Sequence, residues 1–243
     1  MTSQHLREVA GEGILLAGGG AAILLQVAHP LVAAGVARHS DFADRPMHRL
    51  TGTLRYVYSM VFAEPGPRHH AREWVNRAHA SVPHAGEAGP QLWVAATLYR
   101  MASELHERTF GPMLPDVAEE VYRGYAVLGT SLRLPADLWP ADRAAFERYW
   151  AEAMAALEVG DEARSIARTL LAGRNTSWWL RLAMPLVRLV TAGLLPAELR
   201  RAYRLPWSPA RARRFERTMW MLTRCYRVLP RRLRRAPVRH YLR

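Results

Sequence analysis

Between Ile14 and Val36 the chain runs for twenty-three residues without an Asp, Glu, Lys or Arg. A stretch of that length and character must leave water, either across a bilayer or inside a protein core. Gly18-Gly19-Gly20 and Pro30 interrupt it, and Gln26 and His29 lie within it. Those breaks predict a buried helix–turn–helix in place of a membrane span. The first fifteen residues carry Glu8 and Glu12 and a single basic residue, Arg7. That is not the pattern of a secretory signal.

The rest of the chain reads as helices. Apolar residues recur at steps of three or four from Leu114 to Leu132, as Val117, Val121, Tyr125 and Leu128. Further helices are expected over Met47–Phe62, Arg68–Val82, Gln91–Phe110, Leu138–Val159, Thr176–Leu195 and Arg211–Leu229. Prolines such as Pro46, Pro65, Pro83, Pro115 and Pro230 punctuate the joints. No alternating strand pattern and no internal repeat is found. The expected class is all-α, a single domain of eight to ten helices joined by short connections.

Charge is distributed unevenly. The chain of 243 residues has a formal net charge of +13. Residues 1–199 hold 19 Arg against 20 acids, whereas residues 200–243 hold 15 Arg against Glu216 alone. The expected organisation is therefore a 1–199 core and a 200–243 arginine-rich extension, packed on that core or projecting from it. Two readings of the extension stand side by side. Its arginines contact anionic membrane headgroups, or several of them pair with acids on the core. Nucleic acid is the weaker reading, because no recognised binding motif accompanies the arginines. One cysteine, Cys225, excludes an intrachain disulfide and a cysteine-based zinc site.

Chemistry concentrates after the charge-free stretch. Arg49 and Thr53 are four residues apart and share a helix face, with Tyr56 extending it. Beside them run Leu50, Leu54, Val57 and Val61. Such an Arg and Thr could hydrogen-bond a carboxylate at the edge of an apolar pocket, or be a surface Arg and a Thr bonded to its own helix. His79 lies beside Trp74, Val75, Ala78 and Val82. An imidazole there is a metal or haem-iron ligand, or a core histidine with one hydrogen bond. His84, after Pro83, falls in a loop. There is no HExxH, no paired Glu-x-x-His set, no phosphate-binding glycine loop and no serine nucleophile elbow.

Five segments, "QVAHPLVAAGVARHSDF", "RLTGTLRYVYSMVF", "RAHASV", "LWVAATL" and "GLLPAELRRAYRLPWS", follow one another in this order. Together they resemble the catalytic domain shared by MpaB-type oxygenases and rubber oxygenases (latex-clearing proteins), from about Gly13 to about Pro237. The resemblance implies an all-α fold around an internal pocket for haem b. Its iron would be held by one proximal histidine, which falls on His79. It places Arg49 and Thr53 in catalytic roles beside the haem, with His29 in the same pocket; Asp41 belongs to the pattern with no role assigned. Dioxygen and an apolar small molecule, isoprenoid or unsaturated and lipid-like, would be the reactants. The setting would be the cytoplasm, with the inner membrane face as a peripheral station. The chain departs from the rubber oxygenases at three points. Gly52 stands where they have a Lys, Gly13–Ser40 contains no acid to match their glutamate, and Ala95 follows Trp93-Val94 where the family often has His. Rubber is therefore not transferred as a substrate. The alternative is a haem or lipid-like ligand binder that keeps the pocket without the chemistry.

Overall fold

The computed structural model describes residues 3–39, 46–80, 82–132, 134–173 and 178–242, with side chains left out at 39, 46–49 and 179. The helices are α1 (Gln4–Ala10), α2 (Gly19–Val27), α3 (Pro30–His39), α4 (Pro46–Phe62), α5 (Pro65–Ala80), α6 (Ala88–Phe110), α7 (Pro115–Tyr125) and α8 (Val127–Thr130). They continue with α9 (Arg143–Ala155), α10 (Asp161–Ala172), α11 (Trp178–Leu194), α12 (Ala197–Ala202), α13 (Pro209–Val228), α14 (Arg231–Arg234) and α15 (Ala236–Tyr241). Two 3-10 turns, Gly13–Gly18 and Ala136–Leu138, complete the set, and no strand occurs among the described residues. The all-α expectation holds.

The helix number does not: among the described residues fifteen α-helical elements replace the expected eight to ten. Nine of them are ten residues or longer. The excess consists of one- and two-turn pieces, too short for an apolar period to register. The run from Leu114 to Leu132, expected as one helix, breaks at Ala126 into α7 and α8.

Prolines begin α3, α4, α5 and α7, where the missing N–H falls on a group without an intrahelical partner. Ser3, Asp142 and Ser208 cap α1, α9 and α13 with side-chain oxygens.

The core is organised around α2. It packs against α3, α6, α10, α11 and the first 3-10 turn. Its last carbonyls are held by distant side chains. The Trp93 indole N–H donates to Leu25 O at 3.0 Å, and the Tyr203 hydroxyl donates to Leu24 O at 2.6 Å. The buried helix–turn–helix expected for Ile14–Val36 is thus the observed arrangement, with α3 as its second helix. No single helix among the described residues is long and apolar enough to cross a membrane. The bent pair of α1 with Gly13–Val27 has the composition to do so. It is the pair whose Leu6, Val9, Leu24 and Leu25 fill the core. A second cluster, Trp93, Tyr99, Tyr122, Phe146 and Trp150, ties α6, α7 and α9 through ring contacts of 4.9–5.5 Å.

The arginine-rich extension folds back. Glu12, only 6% exposed, accepts a hydrogen bond from the Tyr226 hydroxyl at 2.8 Å and faces the Arg234 guanidinium at 3.6 Å. Arg234 also lies over the Phe110 ring. Arg231 reaches Glu8, Val238 is buried, and Tyr241 stacks on Tyr58 of α4. Pairing with core acids is therefore what Arg231 and Arg234 do. A buried carboxylate that loses its cation is left with an uncompensated charge. Arg234→Met should lower the free energy of unfolding by about 2–3 kcal/mol. Combining it with Glu12→Gln should recover a substantial part of the loss, measured by urea denaturation.

Candidate functional site

The candidate residues lie on α3, α4, α5 and the turn that follows α5. Helices α4 and α5 form a hairpin in which each makes extensive contact with the other. Its register is marked by Gly52. A methyl group there would sit 2.8 Å from the Trp74 ring, so the indole occupies the space a side chain would need. Counting away from the turn in an antiparallel pair, Arg49 lies three residues before Gly52 and Arg77 three after Trp74, on the same side of this contact. With a rise of about 1.5 Å per residue, Arg49 and His79 belong to the same end of the hairpin, within about one turn along it. The side chain of Arg49 is outside the described residues, as are Asp41 and the side chains of His39 and His48.

Helix α5 turns a different face inward than its apolar spacing predicts. Trp74 is 46% exposed and lies across Gly52, Ala78 is exposed, and Val82 falls beyond the helix end. The inward stripe is Ala71, Val75 and His79, spaced by four. His79 is half-buried, and its Nδ1 is closed off from solvent. On α4, Thr53 is exposed. Tyr56, expected to extend its face, instead enters the core, where its hydroxyl donates to Leu128 O at 2.7 Å and burial raises its pKa. Its role is to fasten α4 to α8.

Helix α3 passes close behind the same end of the hairpin. A methyl group at Gly35 would meet Pro83 O and a Val82 methyl at 3.1 Å. The carbonyl of His79 accepts from the Val82 N–H at 3.0 Å, which links the α5 terminus to this contact. His29, at the α2–α3 junction, has a buried Nδ1 with no hydrogen-bond partner. Burial pushes its pKa below the ordinary 6.5, opposed by its own backbone and by the Glu87 carboxylate. His84 sits in the turn at φ 63°, and its ring pairs with Glu87 at 2.6 Å. The loop position expected for His84 is the one observed. The structure thus puts His79 and the backbone of Arg49 toward one end of the α4–α5 hairpin, His29 at the α2–α3 junction, and Thr53 on an outer surface.

Sequence reading missed two polar groups. Glu12 lies just before the stretch searched for an acid, and its partners are more than two hundred residues away in sequence. His106, on α6 against Phe110, has a buried, unpartnered Nδ1 and a pKa lowered by burial. Among the described residues no three His, Cys, Asp or Glu side chains group as a metal site. A haem iron needs only one proximal protein ligand, which is a different requirement. A cleft of about 290 Å³ lies elsewhere, between Met154, Leu157, Val159 and Leu199, and contains none of the candidate residues.

The family model described as "ER-bound oxygenase mpaB/B'/Rubber oxygenase, catalytic domain" matches residues 6–224. Two relatives are the uncharacterized protein Mb2261 of Mycobacterium bovis and the uncharacterized protein Rv2237 of Mycobacterium tuberculosis. Each is 33% identical over 224 residues, covering 86% of this chain and 88% of its own length. No solved structure matches.

His29 and His106 share a pH signature. Both are held neutral in the folded chain, with pKa values below the unfolded value of 6.5. As pH falls through that value the unfolded chain takes up more protons, so stability is full above it and lost below. The thermal midpoint should drop between about pH 7.5 and about pH 5.5. Converting both residues to Gln should shrink that drop.

Proposed function

The chain belongs to the MpaB-type and rubber-oxygenase catalytic-domain family, and from that premise we propose that it is a haem b-dependent oxygenase of an apolar, isoprenoid or unsaturated lipid-like small molecule. The observation that carries the reading is His79. It is on the inward stripe of α5, next to Val75, at the hairpin end shared with Arg49. The donor set fits the cofactor: an imidazole facing the interior, with one ring nitrogen screened from water, is what a haem iron takes.

In this reading His79 is the proximal ligand. Haem b would supply an iron centre able to bind and activate dioxygen. Arg49 would hold a carboxylate through its paired N–H groups, as guanidinium does where bidentate geometry matters. Thr53, being exposed, would stand at the mouth of the site and offer a hydroxyl that donates or accepts a proton there. His29 would meet the same pocket as a neutral imidazole, because burial resists its protonation. The apolar faces of α2 and α3 would exclude water from the substrate.

The second reading, a ligand binder without turnover, has its own support. Trp74 fills the space where a Lys at position 52 would begin. The nearest acid before Gly13 is Glu12, which is engaged with Tyr226 and Arg234. Neither group named for polyisoprene cleavage has a counterpart here.

Two measurements divide these cases. His79→Ala should lose most of the bound haem, while His84→Ala, altering a turn residue paired to Glu87, should keep it; the readout is the Soret absorbance per chain. A colourless His84 variant with a coloured His79 variant would overturn the ligand assignment. Oxygen uptake with unsaturated isoprenoids separates an oxygenase from a binder. In the oxygenase, Arg49→Gln or Thr53→Val should lower turnover about tenfold or more, the scale of a lost positioning or proton-transfer group.

A further inference from the structure

Helix α11 has one side that is covered at one end and bare at the other. Leu182 and Gly193 are eleven residues apart, about three turns, so they share that side. At Gly193 the side is closed by α13, whose Phe215 ring lies where a Cβ would be. Toward the start of the helix the same side is open. Trp178 is 73% exposed, Leu182 74%, and Leu186 is exposed as well. A stripe of Trp and two Leu at steps of four, bare to water, is unlike the isolated apolar residues of ordinary surfaces.

Positive charge lies on both helices of this face. Arg181 and Arg188 run along one flank of it on α11, which contains no acid, with Arg188 donating to the Leu171 and Ala172 carbonyls. Helix α13, which covers the Gly193 end of this side, carries exposed Arg211, Arg213, Arg214 and Arg217 within about one turn of Phe215. The single acid of α13, Glu216, faces Arg108 at 3.6 Å.

We propose that this face of α11 and α13 docks on an anionic phospholipid bilayer, with Trp178, Leu182 and Leu186 entering the headgroup–acyl boundary and the surrounding arginines meeting lipid phosphates. A large indole and leucines beside arginines are the composition of interfacial binding. Charge selects this occupant over a second copy of the chain. A symmetric pair through the stripe would set each arginine cluster against its twin, whereas an anionic bilayer complements both. The surface differs from the 231–243 segment, whose Arg231 and Arg234 are turned to Glu8 and Glu12. The inference stands independently of the haem reading.

The test is co-sedimentation of the full chain with vesicles of phosphatidylcholine alone and of equal parts phosphatidylcholine and phosphatidylglycerol. Binding is expected only to the mixed vesicles and should weaken with added salt. Trp178→Ser with Leu182→Ser should reduce partitioning at least about tenfold. Arg214→Gln with Arg217→Gln should reduce it about fivefold per residue, roughly twenty-five-fold for the pair. Leu114→Ser, a change at another exposed leucine on the α6–α7 connection, should leave it unchanged. Circular dichroism confirms that each variant is folded, which exposed positions allow. No binding by the unaltered chain, or equal binding by all variants, overturns the proposal. A dimer in vesicle-free solution that Leu182→Ser dissociates assigns the stripe to a second copy and overturns it too.

Discussion

The carbonyl groups of Leu24 and Leu25 stand at the point on which the fold depends. They belong to the end of a helix that finishes inside the core, where water cannot satisfy them. A buried polar group without a partner costs about 1–3 kcal/mol, a large share of a domain's net stability. The Ala28 N–H already bonds both carbonyls; their remaining capacity satisfies the buried Trp93 indole and Tyr203 hydroxyl, which fixes α6 and the end of α12 against α2. His29 follows two residues after Val27, so the position of the α2–α3 junction is set by the same bonds. The candidate site begins where this central helix stops.

A second constraint closes the molecule. Glu12 is a buried acid whose partners, Tyr226 and Arg234, come from the far part of the chain. Apolar replacement of such a group is often no less stable than the pair, whereas half of the pair is worse than either. Its presence therefore restricts which packing of α13–α15 is tolerated. The arginine excess of residues 200–243 splits accordingly. Part of it is structural and faces Glu8 and Glu12, and part remains on the open side of α13.

Much of the architecture was legible in the sequence because helices announce themselves through period and punctuation. Pro46, Pro65 and Pro115 fall at joints as expected, Pro30, read as a break in the apolar run, begins α3, and the long helices fall close to their apolar runs. What stayed hidden has physical causes. Helix α10 is an exception, since it buries Ala163, Ile166 and Ala167 on one face, a period that the sequence does carry. Trp74 looked like a core residue by type, but Gly52 gives its ring a seat on a neighbouring helix, partly in water. Tyr56 looked polar and proved to be an internal anchor, because a single carbonyl, Leu128 O, was waiting in the core. The stripe holding His79 could be found only once the inward direction of α5 was known. Pairings such as Glu12 with Tyr226 leave no local trace, since nothing near Glu12 in sequence reports them.

The stack of Tyr241 on Tyr58 carries a consequence for the order of events during synthesis. Domains gain their structure as chain becomes available, and contacts between distant positions come late. Helix α4 is made well before the short helix, α15, that braces it. Until translation has passed Tyr241, the helix bearing Arg49 and Thr53 lacks one of its walls. Any ligand that needs α4 in its final place must therefore load after α15 has left the ribosome.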